Sequence, residues 1–265
     1  MSETPQKNPV FVGIEILHTP GRTRRAFVYA SLDDSRKLIA IGHGDWNEIL
    51  AYLGGQQQAL AAINAPRRTN MGVVNQAAVY QNVLPLDKPT RRINARLCEY
   101  LLHEEGFNVA YTPDKSRRCP GWVRRGFDLY RRLQAFGYQA YPNGAAPGNG
   151  PPSTRCTLET LADAIFWRFL DRKLPLPDSL EGRLQRQLIL YEIGLPVADA
   201  MDFFLEITRH KLIRGELPDG NIHTFAELNA LAAALLAWQA AHQPESLELL
   251  GNPEEGQLAL PRKER

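Results

Sequence analysis

Cysteine is scarce in this chain: Cys98, Cys119 and Cys156 are odd in number and far apart, which suits reduced thiols and excludes a disulfide framework or a close-spaced zinc motif. No stretch approaches eighteen consecutive apolar residues, and Met1 to Asn8 is polar without the apolar centre of a signal peptide. The expectation is a cytoplasmic protein with no membrane partner. Excess charge is small as well, since a formal net charge of +2 does not by itself call for a polyanionic partner. Several catalytic signatures are missing: the Gly-x-Ser-x-Gly elbow, the phosphate-cradling Gly-x-x-x-x-Gly-Lys loop and the dinucleotide Gly-x-Gly-x-x-Gly pattern. The six histidines are scattered, without the close helical spacing of a metal-binding pair.

What is present reads as a folded α/β chain, with 44% hydrophobic residues over 265 positions. Segments Pro9 to Leu17, Arg25 to Ser31 and Lys37 to Gly44 are rich in Val, Ile, Phe and Tyr and separated by turn-prone Pro20-Gly21 and Asp33-Asp34-Ser35. They predict a three-stranded antiparallel meander. Asp45 caps a helix to Leu53, and a short buried strand from Leu60 to Ile63 ends at Asn64-Ala65-Pro66. Helices are expected over Arg92 to Glu105 and Trp122 to Phe136, with a fifth strand at Tyr138 to Tyr141 that stops at Pro142. The Gly-, Pro- and Ala-dense Asn143 to Ser153 predicts a loop leading into helices at Thr157 to Leu170, Ser179 to Ile193 and about Val197 to Arg209. A last helix starts at Thr224, where Glu227 completes a capping box, and its alanine-rich run suits close packing on a sheet.

Four strings, Gly13-Ile14-Glu15, Ala62-Ile63-Asn64-Ala65-Pro66, Gln139-Ala140-Tyr141-Pro142 and Glu227-Leu228-Asn229-Ala230-Leu231, together resemble a widespread family of unknown function, numbered 429, of predicted ribonuclease-H-like nucleases. The resemblance extends through Glu181 to Arg186 and Gly251 to Gly256 and covers most of the chain. It implies a ribonuclease-H-like α/β fold with a mixed sheet, three antiparallel strands followed by parallel ones, and a helical insertion. Residues 1–150 would form the core, 151–220 the insertion, and 221–265 a C-terminal helix and strand completing the core.

In that family the corresponding positions are expected to read Gly-Ile-Asp, Ile-Asp-Ala-Pro, Glu-Val-Tyr-Pro and an Asp early in the last helix. Here they carry Glu15, Asn64, Gln139 and Asn229, so three carboxylates of the implied catalytic set are amides. Two-metal phosphodiester hydrolysis holds divalent ions roughly 3.5 to 4 Å apart, and such ions need several anionic oxygens. The resemblance leaves Glu15 as the implied ligand for Mg or Mn. Glu227 offers a replacement acid, but residues two apart on a helix point in different directions. The alternative for the three amides is that they hydrogen-bond one another at the strand ends.

Two functional readings follow. One is a weak or catalytically degenerate metal-dependent nuclease; the other is a non-catalytic protein binding nucleic acid, nucleotide or protein. Lys88 to Arg132 holds eleven Lys or Arg against five acids, with Arg124 and Arg131 seven residues apart on one predicted helix. Arg67 and Arg68 follow the fourth strand, at the edge where open α/β sheets place ligands. These four arginines are the candidate nucleic-acid contacts, since phosphate binding needs charge and no sequence reading.

Overall fold

The computed structural model of the chain describes residues 9–18, 25–76, 79, 93–142, 154–206, 213, 215 and 219–263. Within them the protein is an α/β structure with an eight-stranded mixed sheet and seven α-helices. Strands β1 (Val10–Ile16), β2 (Phe27–Leu32) and β3 (Leu38–Gly44) form the expected antiparallel meander. The β2–β3 turn is closed by the Asp33 carboxylate, which accepts from the amides of Ser35 and Lys37 at 2.8 Å each. The proposed Pro20-Gly21 turn lies outside the described residues, as does the loop at Asn143 to Ser153.

Helix α1 (Trp46–Gly54) starts on Asp45, which exchanges hydrogen bonds with Glu48 in a capping box. Strand β4 (Ala59–Asn64) then pairs parallel with β1 in a register that sets Asn64 beside Glu15. Helices α2 (Leu97–Glu104) and α3 (Gly121–Ala135) and the two-residue strand β5 (Gln139–Ala140) follow. Next come β6 (Arg155–Thr160), α4 (Ala162–Leu170), α5 (Leu180–Glu192), α6 (Asp202–Glu206), α7 (Phe225–His242), β7 (Leu247–Asn252) and β8 (Gly256–Pro261). The sheet order is β3-β2-β1-β4-β6-β8-β7, with β5 beside β6. Strands β1, β4, β6 and β8 run parallel, while β2, β3 and β7 are added antiparallel.

Three expectations need correction. The predicted helix from Thr157 is two elements: Arg155–Thr160 is a central strand, and helix begins only at Ala162. Leu158 and Leu161 lie three apart, so helical spacing alone did not separate a doubly buried strand from the helix after it. The predicted helix from Val197 is, among described residues, only Asp202–Glu206, because the Asp199 carboxylate takes the Met201 amide at 2.8 Å in a turn; its end, residues 207–209, lies outside the described set. The fifth strand is likewise reduced to Gln139–Ala140. No helix among the described residues is long and apolar enough to cross a membrane.

The sheet is covered on both faces, which explains why β1 and β4 read as continuous apolar runs. Val12, Ile14 and Ile16 pack with Ile49 and Leu53 of α1 and with Leu129 and Leu133 of α3. The opposite face, with Phe11, Val28, Leu60 and Leu158, packs under α7 and also holds α4 and α5 residues. Gly13 permits the tightest contact there: a Cβ on it would lie 1.9 Å from Ala230 O and 2.2 Å from Ala234 N. Small residues on both sides bring helix backbone almost onto strand backbone. All three cysteines are free and buried.

Candidate functional site

The parallel strands β1, β4 and β6 end level with one another: Glu15 pairs in register with Asn64, and Asn64 with Thr160. Their carboxyl ends, the first turns of α4 and α7, and the 107–113 segment enclose a cleft of about 590 Å³. Glu15, Asn64 and Asn229 line it together, so three of the predicted positions converge. Asn64 is clasped from two sides. Its Nδ2 donates to Glu15 Oε2, while its Oδ1 accepts from the Ala162 amide at 3.0 Å, which fixes the orientation of the side-chain amide.

Glu15 is 5% exposed. Burial raises its pKa to about 8; hydrogen bonds from Asn64 and Asn229 offset this in part, and the nearby Asp163 adds to the rise. At neutral pH its carboxyl is therefore mostly protonated. Asn229, on the first turns of α7 and 2% exposed, has an Oδ1 with no hydrogen-bond partner. A buried amide oxygen left unpaired costs about 1–3 kcal/mol. Asp163 also lines the cleft, but Arg186 Nη2 holds its carboxylate at 2.8 Å.

Two other predicted acid-site residues lie elsewhere. Gln139 is exposed on β5 and aligned with Cys156, four residues before Thr160, or about 13 Å along the strand. Glu227 caps α7 through Thr224 and accepts from His43 at 3.1 Å; His223 foremost, then Thr224 and His43, hold its carboxyl well below the usual range against the opposing effect of burial. It does not line the cleft, as the helical geometry of residues two apart requires. The three amides thus do not bond one another as a set: Asn64 serves Glu15, and Gln139 faces a different groove.

Magnesium or manganese would need a different donor set. Of the four implied positions the cleft offers one carboxyl, one amide oxygen already committed to Ala162, and one further amide oxygen, which is too little anionic charge for two dications. Among the described residues no group of three or more His, Cys, Asp or Glu is arranged to hold a metal ion. The residues present do not fit a two-metal centre.

The basic residues also separate. Arg67, Arg68 and Arg131 line a second groove, about 590 Å³, together with Gln134 and Gln139, whereas Arg124 lies outside it. Arg67 is engaged internally: its amide donates to Glu159 at 2.9 Å, its guanidinium to Thr157 O at 3.1 Å, and it stacks on Tyr130 at 4.7 Å. Arg68 donates to Glu254 O at 3.0 Å. Asp128 pairs with Arg131 at 2.8 Å, while Arg132 stacks on Trp46. Arg96 is buried, and Arg125 holds the Leu17 and His18 carbonyls. Among the described basic residues between Lys88 and Arg132, Arg96 is buried and Arg125 half-buried, while Lys115, Arg117, Arg118, Arg124, Arg131 and Arg132 are exposed. Lys88, Arg91 and Arg92 lie outside the described residues.

Sequence reasoning missed a buried ionic cluster beside the cleft. Arg96 donates to Glu99 at 2.8 Å and to Glu159 at 2.5 and 3.1 Å. Glu99 also receives the Thr112 amide at 2.9 Å, tying the 107–113 wall to α2. Glu255 accepts from the amides of Met71 and Leu97 at 2.7 Å each. The i,i+3 pair Arg96/Glu99 was a local signal, but Glu159 arrives from a strand that sequence reading had assigned to a helix.

Glu15 gives a pH prediction. Its folded pKa lies above its unfolded value, so the folded state holds the extra proton between about pH 4.5 and 8, and stability falls as pH rises through that window. The slope is about 1.4 kcal/mol per pH unit from this group. Glu15→Gln is expected to stabilise the protein by about 2–3 kcal/mol at pH 7 and by little at pH 4.5. Urea unfolding at both values checks this; an equal effect at both would show that Glu15 is not protonated by the fold.

Fold and cleft together define an α/β protein with a mixed sheet, carrying a buried carboxyl and two amides at the ends of its parallel strands. No protein-family model matches the chain, and no curated protein or solved structure is significantly similar to it.

Proposed function

We propose that this chain is a ribonuclease-H-like protein in which the nuclease carboxylate site has become a metal-free binding cleft. The observation that carries the reading is Glu15, buried, clasped by Asn64 and flanked by Asn229, so that amides stand where a metal centre needs carboxylates. The fold assignment is supported by three antiparallel strands followed by parallel β4 and β6, with helices between β6 and α7. It rests also on the strings Gly13-Ile14-Glu15 and Ile63-Asn64-Ala65-Pro66 ending adjacent strands side by side.

Manganese titration by calorimetry, beside the variant Asn64→Asp/Asn229→Asp, tests it. The native protein is expected to give no binding heat and no cleavage of RNA, DNA or hybrid duplex. The double variant, with like charges crowded around Glu15, is expected to be less stable without metal and to be rescued by it. At manganese one hundred times the Kd the rescue is about 2.7 kcal/mol. Adding Gln139→Glu should change neither result, because Gln139 lies in the other groove. Manganese binding with metal-dependent cleavage by the native chain would overturn the proposal.

A further inference from the structure

The cleft and the second groove have the same volume, about 590 Å³, and opposite charge. Glu15, Glu99, Glu159, Asp163 and Asp178 line the cleft, with Arg96 as the arginine among them. Among the described residues, every charged side chain lining the groove is an arginine: Arg67, Arg68 and Arg131. The local field therefore turns an anion away from the cleft and towards the groove. The groove is built from three parts of the chain. Arg67 and Arg68 follow β4, Gln139 and Thr157 come from the adjoining strands β5 and β6, and one stripe of α3 closes the side. That stripe is Phe127, Tyr130, Arg131 and Gln134, at the spacing of one helix face.

Arg67 is set in place by the fold. Its Nη2 donates to Thr157 O at 3.1 Å, its plane stacks on Tyr130 at 4.7 Å and its backbone amide is held by Glu159 at 2.9 Å. A guanidinium fixed in this way loses little further freedom when a ligand arrives. Arg68 and Arg131 are exposed and only lightly engaged: Arg68 gives Nη1 to Glu254 O, and Arg131 gives Nη2 to Asp128. The side chains of that last pair are 76% and 48% exposed, so water screens the attraction and an incoming anion can share Arg131. A guanidinium has more N–H donors than the one each of these two residues uses. Arg67, Arg68, Phe127 and Arg131 also line a shallower depression reaching Ser116, which opens the turn Ser116–Arg118.

We propose that this groove is an anion site for a phosphate-bearing ligand, with Arg67 as its preset guanidinium and Arg68 and Arg131 as its exposed charged contacts. Three guanidiniums with the Gln134 and Gln139 amides beside them suit a group of several oxygens better than the two of a carboxylate. The phosphate can belong to a free nucleotide or to a nucleic-acid backbone, since both present the same oxygens. The site is separate from the Glu15 cleft and does not rest on the reading of that cleft as metal-free.

Calorimetry on the full chain, with a chelator present so that metal plays no part, tests it with inorganic phosphate, adenosine 5′-monophosphate, adenosine and a short single-stranded oligonucleotide. The nucleotide should bind, and adenosine, which lacks the phosphate, should bind at least about tenfold more weakly, because charge-assisted hydrogen bonds are lost. Binding of the nucleotide or of inorganic phosphate assigns a free ligand, and binding of the oligonucleotide alone assigns the backbone. In the latter case the logarithm of affinity should fall against that of salt with a slope of about −2, for three phosphates neutralised on a single strand. Arg68→Gln/Arg131→Gln alters exposed side chains only, so it should remain folded by circular dichroism and bind at least about tenfold more weakly. Arg131→Gln alone should lose affinity in the same direction, which covers a double variant that does not fold. Arg124→Gln, on α3 but outside the groove, should bind as the native protein does. Failure of every phosphate probe, equal binding of adenosine, or an equal loss in Arg124→Gln overturns the proposal.

Discussion

Gly13→Ala is expected to destabilise the protein by at least about 4 kcal/mol, more than any other single methyl added to the sheet. The new Cβ would lie 1.9 Å from Ala230 O, 2.2 Å from Ala234 N and 2.9 Å from Ala233 C. All three are backbone atoms, so no rotamer change relieves the contact, and either β1 or α7 has to move. Movement of α7 takes Asn229 away from Glu15, which links the packing of the sheet to the geometry of the cleft. Equilibrium unfolding in urea measures the loss. A midpoint unchanged from the native protein would mean that α7 does not sit this close to β1.

The second large effect is expected at Arg96. Arg96→Met keeps most of the buried volume but leaves Glu99 and Glu159, 4% and 3% exposed, without their cation. Breaking a buried pair in this way costs about 3–5 kcal/mol, because a charge remains in the interior without compensation. If orphaned charge is the cause, Arg96→Met combined with Glu159→Gln should recover part of the loss, whereas independent packing effects would simply add. The cleft should respond too, since Glu99 anchors the Thr112 amide and with it the 107–113 wall. Limited proteolysis of that segment should accelerate in Arg96→Met. Unchanged stability would show that the cluster contributes nothing net.

The legible parts of the fold are those in which local signals agree. Asp45 with Glu48 and Thr224 with Glu227 announced two helix starts, and both capping boxes form. The meander followed from short β-branched runs between turns. The segment after Thr157 was misread because its apolar spacing fits a helix, while its place between β4 and β8 makes the first part a strand. Such a choice depends on a vacancy in a sheet built by residues far away in the chain.

The site divides in the same way. Sequence alone determined that three of four implied acids are amides and that Glu15 is the remaining carboxyl, because residue identity needs no coordinates. It also limited Glu227, since helix geometry keeps residues two apart from sharing a position. Only the tertiary structure decided that Glu15, Asn64 and Asn229 meet while Gln139 does not. It alone buried Glu15 deeply enough to stay protonated, and it spent Arg67, Arg96 and Arg125 on internal partners. Local order sets which groups a chain carries. Register between distant strands and the close approach of α7 at Gly13 set which groups meet, and loss of water at that meeting point sets their charge.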